Sequence, residues 1–192
     1  MRKIYLIRHG LPHFPKDEGY CIGTADFPLS EEGHAQAARL AQSLENERLT
    51  VFTSPLKRAC DTAKALCPQP IVIEELCEMH AGDWDGLSFS EIKKRWPELY
   101  EARATDLNLA LPNAEDWNLG RERFYKGVMK ALSMSQGDIA IVAHTTVILS
   151  FLCSITGDEK YRSFEWRQDY ASYYLVRQLD DMSFECEFPW RY

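Results

Sequence analysis

Short β-rich runs alternate with helix-patterned stretches along most of this chain, and no other feature restricts its fold so strongly. Lys3-Ile4-Tyr5-Leu6-Ile7 has the length and composition of a strand. Ser30 is a good N-cap for the alanine- and leucine-rich run that reaches about Leu44, and Glu31 and Glu32 face the positive end of that helix. Val51-Phe52-Thr53 reads as a second strand, with Pro55 beginning a helix through Leu66, and Ile71-Val72-Ile73 as a third. Ile139 to Ala143 reads as a buried strand, followed by an apolar helix from about Thr146 to Ile155 that ends near Gly157. Alternation in Ala171 to Val176 and in Phe184 to Phe188 predicts two closing edge strands.

Between the third and fourth strands the pattern is mostly helical, over residues 87–134. Ser88-Phe89-Ser90-Glu91 has capping-box spacing, Pro97 interrupts the helix after Trp96, and Thr105 to Ala114 lacks periodicity. We read 1–192 as a single domain, with 87–134 as an excursion from the sheet. A chain of 192 residues can bury a sizeable core without disulfides or metal.

A net charge of −7 argues against nucleic acid as a partner. An anionic ligand would need a local cationic pocket. Cys21, Cys60, Cys67, Cys77, Cys153 and Cys186 show neither CxxC nor zinc-ligand spacing, so reduced thiols and a cytoplasmic protein are expected. No stretch has the length of a membrane span, and the N-terminus reads as a strand and not a signal peptide.

The first strand ends in Arg8-His9-Gly10. Such a tripeptide arises by chance in about one chain of this length in a hundred, but in an open α/β sheet ligands bind at the carboxyl ends of strands. Further segments follow in order: Asp26 to Ala37 with its Pro28-Leu29-Ser30 start, Thr53 to Ala63 around Arg58, Leu76 to Gly86 around Glu78, and Ile141-Val142-Ala143-His144. With these four, the chain resembles the histidine phosphatase superfamily, also called phosphoglycerate mutase-like. That resemblance implies a three-layer αβα sandwich with a mostly parallel central sheet, and a small helical cap formed by the excursion.

The resemblance also implies roles for particular residues. His9 would be the nucleophile, Glu78 the general acid and base, and His144 a donor to the same phosphate, while Arg8 and Arg58 would bind its oxygens. The chemistry agrees with these types. A phosphomonoester carries up to two negative charges, and guanidinium donates paired hydrogen bonds to phosphate. A neutral imidazole attacks phosphorus only if one ring nitrogen is bare and the other keeps its proton, here expected on a backbone carbonyl. Asp83 and Asp85 read as turn residues, and no cluster resembles a metal site. Cys21, Ile22, Gly23 and Thr145 are candidate substrate contacts, and Trp84, Trp96 and Trp117 either line a pocket or pack a core.

Two segments depart from the family's pattern. Gly10 is followed by Leu11-Pro12-His13-Phe14-Pro15, where many members carry polar residues, and His144 by Thr145-Thr146, where glycines are usual. Thr145 or Thr146 is expected to cap the next helix. Pro112-Asn113-Ala114-Glu115 only loosely matches the family's proline-glycine-glycine-glutamate segment. The short chain favours a cofactor-free, metal-independent phosphatase of small phosphomonoesters, in the branch that holds the α-ribazole phosphatases. A mutase is the alternative, and a non-catalytic phospholigand-binding protein a third. The expected partner is a small phosphorylated metabolite, with no nucleic acid or membrane. A homodimer is left open.

Overall fold

In a computed structural model, described over residues 1–105, 109–159 and 164–187, the alternation closes into one six-stranded sheet. The strands are β1 (Arg2–Arg8), β2 (Thr50–Thr53), β3 (Ile71–Val72), β4 (Ile139–Ala143), β5 (Tyr173–Gln178) and β6 (Phe184–Glu187), in the order β3-β2-β4-β1-β5-β6. The first four strands of that order pair in parallel, and β5 and β6 join antiparallel. β5 is therefore an interior strand, starting at Tyr173 and not at Ala171, and β6 alone closes that edge. Phe188 lies outside the described residues.

Helices α1 (Glu31–Ser43) and α2 (Lys57–Leu66) cover one face of the sheet, while α5 (Trp117–Ser133) and α6 (Thr145–Thr156) cover the other. The pleat assigns each strand residue to a layer. Ile4 and Leu6 of β1, with Ile139 and Ile141 of β4, pack against Phe124, Val128 and Phe151 of α5 and α6. Tyr5 and Ile7, with Ala140 and Val142, pack against Leu40, Ala59 and Ala63 of α1 and α2. Each central strand thus buries both faces, which is why Ile4 to Ile7 of β1 and all of β4 are hydrophobic without interruption.

Between β3 and β4 lie α3 (Phe89–Arg95) and α4 (Pro97–Thr105). The capping box at Ser88 is formed, and Pro97 starts α4 directly after the Trp96 C-cap. Trp84 is buried, with Trp96 and Tyr100 at centroid distances of 6.5 and 6.3 Å. It forms the core of this excursion. α5, placed by sequence inside the excursion, packs in the main core instead, so among the described residues the helices of the excursion are α3 and α4.

Register builds the next level. Arg8 pairs with Ala143, and Thr53 with Val142, so the residues just beyond β1, β2 and β4 lie side by side. His9 N–H donates to the Ala143 carbonyl at 3.1 Å and Ser54 N–H to that of Val142 at 3.0 Å. Gly33, in the first turn of α1, lets the chain after β1 press close, because a Cβ there would lie 2.1 Å from the Leu11 oxygen.

Candidate active site

His9, Ser54 and His144 meet at the carboxyl edge of the sheet, and Arg8, Arg58 and Glu78 join them. Every one of these side chains is buried. His9 Nδ1 faces the Gly10 carbonyl at 2.7 Å, so Nδ1 carries the proton and donates to the carbonyl, and Nε2 is left with its lone pair. Burial, then the charges of Arg58 and Arg8, hold the His9 imidazolium well below the usual range. The ring is neutral at pH 7. His144 lies 5.1 Å from His9 between ring centroids and is kept neutral by burial and by Arg58. Its Nε2 contacts Ser54 Oγ at 2.8 Å, and its Nδ1 is buried with no hydrogen-bond partner among the described residues.

Arg58, in the first turn of α2, donates Nε–H to His9 Nε2 at 3.2 Å, and its Nη1 and Nη2 to the carbonyls of Ala25 and Gly23, both at 2.7 Å. The carbonyls come from a loop that one carboxylate organises. Asp85 accepts from Gly23 N–H, Thr24 N–H, the Thr24 hydroxyl and Ala25 N–H at 2.8 to 3.1 Å. Burial pushes its pKa up, but these donors outweigh burial and hold it below the usual carboxylate range. Asp85 is therefore more than the turn residue read from sequence. Gly23 is required where the loop crosses the 79–81 strip, since a Cβ there would lie 2.4 Å from the Met79 oxygen.

Glu78 is held by backbone donors. Oε1 accepts from Met79 N–H at 2.9 Å and Val147 N–H at 3.2 Å, and Oε2 from Thr146 N–H at 3.1 Å. It thus satisfies N–H groups at the start of α6, whose N-cap is His144 without a side-chain bond. The expected cap by Thr145 or Thr146 is corrected: the acceptor comes from a segment 68 residues away. Burial outweighs these donors and the Arg58 charge and raises the Glu78 carboxyl above the usual range. Behind it, Arg123 grips Glu115 at 2.9 and 2.8 Å and gathers the carbonyls of Glu75, Cys77 and Glu78.

Arg8 donates Nη1 to the Gln168 carbonyl at 2.5 Å and stacks on the Tyr170 ring at 3.7 Å. Its Nε is buried without a partner among the described residues. Burial lowers it to about 10, which leaves it a cation at neutral pH. Two buried cations beside two neutral histidines make the locally positive pocket that an acidic protein needs for an anion.

Over residues 4–187 the sequence matches the family model of the histidine phosphatase superfamily, branch 1. The chain belongs to that superfamily. It is 30% identical over 157 residues to a bifunctional protein of Mycobacterium tuberculosis, covering 78% of this chain but only 43% of that protein's length. A metal-independent phosphoserine phosphatase of Arabidopsis thaliana is 30% identical over 164 residues, 80% of this chain and 68% of that one. The solved α-ribazole phosphatase of Shigella flexneri superposes with a TM-score of 0.82 at 26% identity, over 97% of this chain and 95% of that chain.

The fold of this superfamily member brings together the residues read from the motifs, and it sorts the outlying candidates. Gly23 is committed through its N–H to Asp85 and through its carbonyl to Arg58. Cys21 is tied by its backbone to Gly86 and Leu87, and burial pushes its thiol up to about 12. Ile22 is half-buried beside it, and Thr145 opens α6. Sequence reasoning gives Ser54, Gln168 and Tyr170 no role, and Asp85 only that of a turn residue. For Ser54 a signal existed, since it follows a strand in the Arg58 motif. Among the described residues no cluster of three or more histidine, cysteine, aspartate or glutamate side chains is arranged to hold a metal ion, and no helix is long and apolar enough to cross a membrane.

Proposed function

We propose that the protein hydrolyses small phosphomonoesters through a phosphohistidine on His9. The observation that carries this reading is a neutral His9 whose Nε2 lone pair accepts from the buried Arg58 guanidinium, with the buried charge of Arg8 also acting on the ring. The phosphoryl group takes the place of His9 as acceptor of the Arg58 Nε–H, and Arg8 Nε and His144 Nδ1 supply further donors to its equatorial oxygens. His9 Nε2 then forms the N–P bond as the ester P–O bond breaks.

Glu78 gives the departing alkoxide its proton. With Oε1 already accepting from two N–H groups and Oε2 from one, the open lone pair lies on Oε2, and that is where the acid proton resides. Its raised pKa suits the role. In the second half-reaction Glu78 takes a proton from water, which attacks phosphorus and releases His9 and inorganic phosphate. No step calls for a metal ion or cofactor.

Rapid quench of the full chain with a radiolabelled alkyl phosphate such as phosphoserine tests the reading. An acid-labile, base-stable adduct is expected in the wild type and none in His9→Ala. An adduct that maps elsewhere overturns it. Incubation with 3-phosphoglycerate separates the mutase alternative: inorganic phosphate is expected, and rapid appearance of the 2-isomer with little phosphate counts against hydrolysis.

A further inference from the structure

The segment entering β5 grips the end of β1 at several points. The Gln168 side chain donates Nε2–H to the Leu6 carbonyl at 2.8 Å, and its own carbonyl accepts Arg8 Nη1. Ala171 N–H donates to the His9 carbonyl at 3.2 Å, and Arg8 N–H to that of Ser172 at 3.0 Å. Ala171 does this at φ +53°, a left-handed conformation that alanine seldom adopts. Such strain persists only where the surroundings over-determine it. Here it turns Tyr170 so that its ring lies 3.7 Å from the Arg8 guanidinium carbon and 5.7 Å from the His9 ring centroid.

We propose that Tyr170 is a positioning residue that presents Arg8 to the phosphoryl group, acting through its ring and not its hydroxyl. The ring covers one face of the guanidinium, and the Gln168 carbonyl anchors Nη1. Together they fix the plane of Arg8, and its Nε–H is left for an oxygen of the ligand. A buried guanidinium free to rotate would lose that alignment, because its donors recognise phosphate only in one fork geometry. From the α1 side a cavity of about 650 Å³ abuts the same segment, bounded by Gln36, Leu40, Gln168, Tyr170 and Tyr173. Tyr170 thus borders open space on one side, and its ring contact with Arg8 is a cation–π interaction.

This inference rests on the phosphatase reading, so the test measures binding and not turnover. Calorimetric titration of inorganic phosphate into the full-length wild type, Tyr170→Phe, Tyr170→Leu and Tyr170→Gln reads the dissociation constant directly. Tyr170→Phe is expected to bind within about twofold of wild type. Tyr170→Leu and Tyr170→Gln should each bind about tenfold more weakly, the size of a partly desolvated cation–π contact. Because Tyr170 is only half-buried, their phosphate-free melting temperatures should stay near that of wild type. Equal affinity in all four proteins overturns the proposal. So does a Tyr170→Phe loss as large as that of Tyr170→Leu, which would make the hydroxyl the active part. A wild type that binds no phosphate overturns the phosphatase reading and this assignment together.

Discussion

Replacing Asp85 by asparagine removes one oxygen from a carboxylate that organises the loop beneath Arg58. Oδ1 accepts from Gly23 N–H at 2.8 Å and Ala25 N–H at 3.1 Å; Oδ2 accepts from Thr24 N–H and the Thr24 hydroxyl, both at 2.8 Å. Asparagine can keep the first pair, but its amide then points at a Thr24 N–H that has lost its acceptor. An unsatisfied donor of this kind costs about 1–3 kcal/mol, and the two retained bonds each weaken by roughly 1 kcal/mol when the charge goes. Relief from desolvating a half-buried charge offsets part of this, leaving a loss of roughly 2–4 kcal/mol. For a chain of this size that is on the order of 5–15 °C in melting temperature. Urea denaturation at constant m measures it, with Thr24→Val as a control that loses one hydroxyl bond, worth about 0.5–1.5 kcal/mol. Because the Gly23 and Ala25 carbonyls hold both Nη groups of Arg58, kcat/KM should also fall by about tenfold or more, the yield expected from misplacing a charge-assisted phosphate contact. A variant within about 0.5 kcal/mol of wild type, the range of ordinary surface substitutions, would refute the assignment of Asp85 as the organiser of that loop.

Stability should fall as the solution is acidified from about pH 6.5, because unfolded His9 and His144 take up protons that the folded chain refuses. Each contributes a slope of about 1.4 kcal/mol per pH unit below that point; the raised Glu78 carboxyl works in the opposite sense, and urea midpoints of His9→Gln/His144→Gln should show the slope flattened. In single-turnover phosphorylation Glu78→Gln should slow an alkyl phosphate by on the order of a hundredfold but p-nitrophenyl phosphate far less, and equal losses would mean that Glu78 positions rather than donates. Hydrolysis should persist in EDTA, and strict loss restored by magnesium or zinc would point to a metal-assisted mechanism. Gly23→Ala should lower both stability and kcat/KM, since its Cβ meets backbone atoms of Met79 and Ala81 at 2.4 and 2.5 Å and the loop must move away from Arg58; unchanged kinetics would show that the loop gives elsewhere.

By itself the sequence determined the layers and the chemical types at the site. Burial on both faces forces Ile4 to Ile7 of β1 and the whole of β4 to be hydrophobic, while the amphipathic helices and their caps at Ser30 and Ser88 follow from spacing alone. His9 and His144 were legible because each directly follows a strand, and Arg58 because it stands in a motif. Other features depended on tertiary structure. Whether β5 is an edge or an interior strand depends on what pairs with its far side, and whether α5 caps or packs depends on where its apolar stripe lands; neither is written in local periodicity. The same holds for the groups that tune the site. Glu78 is held by N–H groups of Thr146 and Val147, Arg58 by carbonyls of Gly23 and Ala25, and Arg8 by that of Gln168. Every non-proline residue carries the same N–H and C=O, so a sequence cannot mark which of them meet. That choice is made when the chain closes, and it decides where the charges and protons of this site lie.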